Sequence, residues 1–175
     1  VPPRSEIAHE HTWNAESVYA TPEAWAAELK AVSAAVDPLA SYAGRLGEGA
    51  GTLAEWLEVS YKLARRVGTL SFYARMSQAV ETTNAAANAM VGQVGALASR
   101  FGAVTAFAQP EILALGEAVV LGWTASEPRL TVYAHAFHNL FRRQAHVRSG
   151  EVEEVLALAA DPFAQVENTQ EMLIG

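Results

Sequence analysis

Residues 21–49 read TPEAWAAELKAVSAAVDPLASYAGRLGEG, and their spacing decides the fold class. Trp25, Leu29, Val32, Val36 and Leu39 recur at intervals of three and four, which places them on one face of an α-helix. Thr21 carries a side-chain oxygen suited to capping the helix start. Pro22 fits the first helical position, where no backbone donor is needed, and Glu23 meets the positive end of the helix dipole. Pro38 is expected to kink or break this helix, and the glycines between Gly44 and Gly51 to end it.

The same period continues along the chain. Thr52 and Glu55 in TLAE have the spacing of a capping box, and Leu53, Trp56, Leu57, Leu63, Val67 and Leu70 then line one face as far as about Met76. A third helix is expected after ETTN (Glu81–Asn84), running to about Ala108 with Met90, Val94, Leu97, Phe101 and Val104 as its stripe. Gly92, Gly95 and Gly102 are interleaved with that stripe and are expected to let neighbouring helices approach closely. Beyond Pro110 come shorter segments: one over Glu111 to about Leu121, one over about Glu127 to Gln144, and one after Ser149. Strand signals are nearly absent. The expected fold is all-α, an antiparallel bundle of about six helices over residues 21–175. An extended arm over residues 1–20, packed on the domain through Trp13 and Tyr19, precedes it.

Composition narrows the functions. A chain of 175 residues with half its side chains apolar has the profile of one packed helical domain. The formal charge of −7 and the absence of a strong basic stretch argue against a nucleic-acid binder. With no cysteine, disulfides, thiolate nucleophiles and cysteine-bound zinc are excluded. No run approaches the roughly 18 apolar residues of a membrane span, and the N-terminus has no apolar core of signal-peptide length. A cytoplasmic location is therefore expected.

Chemistry-bearing residues are few. In residues 130–144, LTVYAHAFHNLFRRQ, the residues Leu130, Tyr133, Ala134, Phe137, Leu140 and Phe141 form an apolar arc. Thr131, His135, His138, Asn139 and Arg142 fall on the other side. His135 and His138 have the spacing of a zinc pair, but Arg142 shares their face and no carboxylate lies in that helix, so a polar face is the preferred reading. His146 is expected to fasten a turn before a helix capped by Ser149, with Glu151 in its first turn. Residues 9–13, HEHTW, begin like the zincin signature H-E-x-x-H but place Trp13 where the second histidine is required. Asp37 and Asp161 each stand directly before a proline, and Glu153 with Glu154 read as a solvated helix face. No catalytic, cofactor or metal residue is assigned.

Several landmarks in order resemble the oligoendopeptidase F family. Trp13, Tyr19 and Trp25 in TWNAESVYATPEAWAAEL follow the pattern of its opening segment. ETTN at Glu81–Asn84 and FAQPEILAL at Phe107–Leu115 are similar to two further segments. Tyr133, Arg142 or Arg143, His146, Ser149 and Glu154 continue the order. The resemblance implies the N-terminal helical region of a zinc metallopeptidase that cuts short peptides inside a largely helical shell. Its zinc would be held by an H-E-x-x-H helix and a later glutamate in a C-terminal catalytic domain, with that signature's glutamate as general base. On this reading the segment is a fragment, inactive alone and without a cofactor of its own. Its partners are the C-terminal catalytic domain and, in the intact enzyme, oligopeptide substrates, with no nucleic acid and no membrane. The alternative is a stand-alone helical interaction or oligomerisation module, including a homo-oligomer formed through an exposed face.

Overall fold

The computed structural model of the chain describes residues 6–144, and the expected helix after Ser149 lies outside them, with His146, Glu151, Glu153, Glu154 and Asp161. Among the described residues the regular structure is entirely helical. The helices are α1 (Pro22–Val36), α2 (Ala50–Val80), α3 (Ala85–Thr105), α4 (Ala108–Leu115), α5 (Glu117–Ser126), α6 (Pro128–Thr131) and α7 (Ala134–Gln144).

Helix α1 starts where its caps require. The Thr21 hydroxyl oxygen accepts the Ala24 N–H at 3.2 Å, and Pro22 occupies the first turn. Pro38 then ends it, and Asp37–Tyr42 tighten into a 3-10 helix. Trp25, Val32, Val36 and Leu39 are buried on one face, while Leu29 packs at its edge. The indole of Trp25 also donates a hydrogen bond to the Leu70 carbonyl at 3.1 Å, a buried link from α1 to the middle of α2. That satisfies the only polar atom the ring brings into the core.

The capping box expected at Thr52 and Glu55 does not form. Helix α2 begins three residues earlier, at Ala50, with Gly49 at its N-cap and no side-chain cap. Early entry lets Leu53 and Ala54 be fully buried, which outweighs a cap contributing about 1 kcal/mol. Glu55 instead faces the hydroxyl of Tyr42, whose pKa is raised by burial first and by Glu55 second. Thereafter α2 runs 31 residues without a break and buries Trp56, Leu57, Leu63, Val67, Leu70 and Tyr73.

At Glu81–Asn84 the chain doubles back. The Asn84 side chain accepts the N–H groups of Ala86 and Ala87 at 3.0 and 3.1 Å and so starts α3. Val94 and Leu97 are buried against α2, with Met90, Phe101 and Val104 packed around them. The third helix carries its whole expected stripe but stops at Thr105, short of the expected end near Ala108, where α4 begins. The next expected helix is also divided, because Gly116 takes φ +84° between α4 and α5. Only glycine enters that region without strain. A further break at Val132–Tyr133 separates α6 from α7.

The interleaved glycines do not serve close helix contact. A β-carbon built at Gly92, Gly95 or Gly102 meets nothing within 4 Å, and all three positions are exposed. The small-residue face of α3 therefore points outward. Replacing each of Gly92, Gly95 and Gly102 by alanine is expected to raise unfolding stability by up to about 1 kcal/mol per site, through helix propensity alone. Urea denaturation of the single and triple variants measures this; a loss of stability would mean that this face does pack.

Candidate functional site

The two histidines singled out by spacing sit on α7 as the helical wheel places them. His135, His138 and Arg142 are exposed, while Phe137 and Phe141 are buried on the opposite side. The Arg142 guanidinium donates to Asn139 Oδ1 at 3.1 Å, which fixes the orientation of that amide. Asn139 Nδ2 then faces His135 Nε2 at 2.9 Å and must donate to it. The lone pair a metal would need on that nitrogen is thereby occupied. His138 Nδ1 lies 3.5 Å from Glu117 Oε1, a carboxylate brought from α5 by the fold and invisible in the local sequence. No group of three or more histidine, aspartate or glutamate side chains converges among the described residues. Zinc chemistry therefore does not fit the residues described here.

At the N-terminus, His11 joins no group of three metal-ligating side chains among the described residues either. Residues 9–11 form a single 3-10 turn rather than an α-helix, and His11 Nε2 lies 3.6 Å from Glu10. Asp37, the one aspartate within the described residues, is paired with the guanidinium of Arg100 from α3. Its role is to tie the end of α1 to α3.

What the surface does present is concavity lined by aromatic side chains. Trp13 packs edge-on against Phe72 and Tyr73, with ring centroids 6.3 and 6.0 Å apart, and Tyr19 stands perpendicular to Tyr73 at 5.3 Å. Between these rings and the α2–α3 turn lies a cleft bordered by Val80, Met90 and the carboxylate of Glu81. A second, apolar groove runs between α2, α3, α4 and α7, with Trp56, Tyr61, Phe101, Ile112 and Leu140 among its walls. Neither groove brings together a nucleophile, a base and an oxyanion donor.

Two polar clamps tie the helices to one another. The Glu111 carboxylate accepts the N–H groups of Gly44 and Leu46 at 3.0 and 2.7 Å, tying α4 to the α1–α2 connection. The Arg66 guanidinium donates to both oxygens of Glu28 at 2.7 and 2.9 Å, tying α2 to α1. That bidentate bond holds the Glu28 carboxyl below its ordinary range. Burial raises the pKa of the neighbouring Tyr19 hydroxyl, and the Glu28 charge adds to the rise.

Comparison with known proteins identifies this helical arrangement. Residues 111–174 match the family described as Oligopeptidase F, in its N-terminal part. The chain is 31% identical to oligopeptidase PepF of Bacillus subtilis over 173 residues, which is 99% of this chain and 26% of that protein. It is 32% identical to the group B oligopeptidase PepB of Streptococcus agalactiae over 170 residues, 97% of this chain and 28% of that protein. The chain belongs to the oligopeptidase F family, to its N-terminal region. The fold agrees: the crystal structure of oligoendopeptidase-F from Enterococcus faecium superposes with a TM-score of 0.73 at 24% identity, over 85% of this chain and 29% of that one. The chain spans about a quarter of the length of the curated relatives it matches.

Two outcomes test these assignments. Because the folded Glu28 pKa is depressed, its ion pair stabilises the fold above the ordinary carboxylate value of 4.5 and the contribution is lost as pH falls through the lower folded value. Glu28→Gln is expected to destabilise the chain at pH 7 by less than about 1 kcal/mol, since the pair is partly solvated. The gap should close in urea titrations below pH 4.5, and a gap constant down to pH 3 would refute the linkage. Elemental analysis of the purified chain is expected to find well under one equivalent of zinc, with no change in His135→Ala or His138→Ala. A stoichiometric metal lost in either variant would overturn the reading of α7.

Proposed function

We propose that this chain is the N-terminal helical region of a metallo-oligopeptidase of the oligoendopeptidase F type, forming part of the wall around the chamber in which short peptides are hydrolysed. One observation carries the proposal: identity of 31–32% to two bacterial oligopeptidases over nearly the whole of this chain. The relatives' names concern proteins roughly four times as long, so catalysis is assigned to the intact enzyme. The zinc implied by the family would be held outside the described residues, because His135 and His138 do not supply a free, convergent ligand set.

What this region's own residues provide is shape. Aromatic packing around Tyr73, the Glu111 clamp and the Arg66–Glu28 pair fix the helices relative to one another. A rigid wall selects substrates by access, admitting unfolded oligopeptides and excluding folded proteins. The cytoplasm is the compartment proposed for such an enzyme. No single helix among the described residues is long and apolar enough to cross a membrane.

Complementation tests the proposal. Mixing the chain with the separately produced C-terminal remainder of a close relative, such as the Bacillus subtilis enzyme, is expected to restore cleavage of a fluorogenic oligopeptide that neither part cleaves alone. Cleavage by the remainder that is unchanged by adding this chain, while the two parts co-elute, would reject the role as a wall required for activity.

A further inference from the structure

We draw no further inference here: the strongest candidate, the cleft between the N-terminal arm and the α2–α3 turn lined by Trp13, Tyr19, Tyr73 and Glu81, is an open surface of a chain that spans about a quarter of the length of its relatives, and nothing in the structure shows what covers it.

Discussion

Everything in this fold is arranged around an unbroken helix of 31 residues that has to hide ten of its side chains. Each fully buried leucine, valine or aromatic ring among them contributes roughly 1.5–3 kcal/mol, and α2 alone cannot supply the cover. Helix α1 covers one flank, fixed in register by the Trp25 indole on the Leu70 carbonyl. Helix α3 covers a second, returning through a turn of only four residues closed by Asn84. A hydrogen bond reaching a mid-helix carbonyl in a dry interior admits one position of the ring, so the sliding of α1 along α2 is restricted by geometry as well as by packing. The loss of that register would separate Trp25 from Leu70 and misplace Val32 and Val36 together.

Charged pairs do different work from the core. Arg66–Glu28, Arg100–Asp37 and Arg129–Glu58 each join elements far apart in sequence, yet all have partly exposed side chains. Such pairs stabilise by about 1 kcal/mol or less. Their value lies in choosing among packings that an alanine-rich surface leaves nearly equal in energy. Glu111 is the clearest case, because its carboxylate satisfies two backbone donors in the turn before Leu46, which would otherwise be left with fewer partners in a connection that has no long helix to close it.

The buried stripes were legible in the sequence because burial imposes a period, and the period survives in residue order. Trp25, Val32, Val36, Leu53, Leu63, Leu70, Val94 and Leu97 all lie where spacing placed them. The points where spacing misled are those where two local signals competed. At TLAE the cap chemistry of Thr52 and Glu55 lost to the burial of Leu53 and Ala54. Across residues 108–121 the apolar pattern ran on while Gly116 broke the backbone, a change that alters direction without altering periodicity. The pairing of His138 with Glu117 was not readable at all, since the partner comes from a different helix. On α3, glycines that in sequence suggested tight packing proved to face outward, because a small residue reads the same at a close contact and at an open surface.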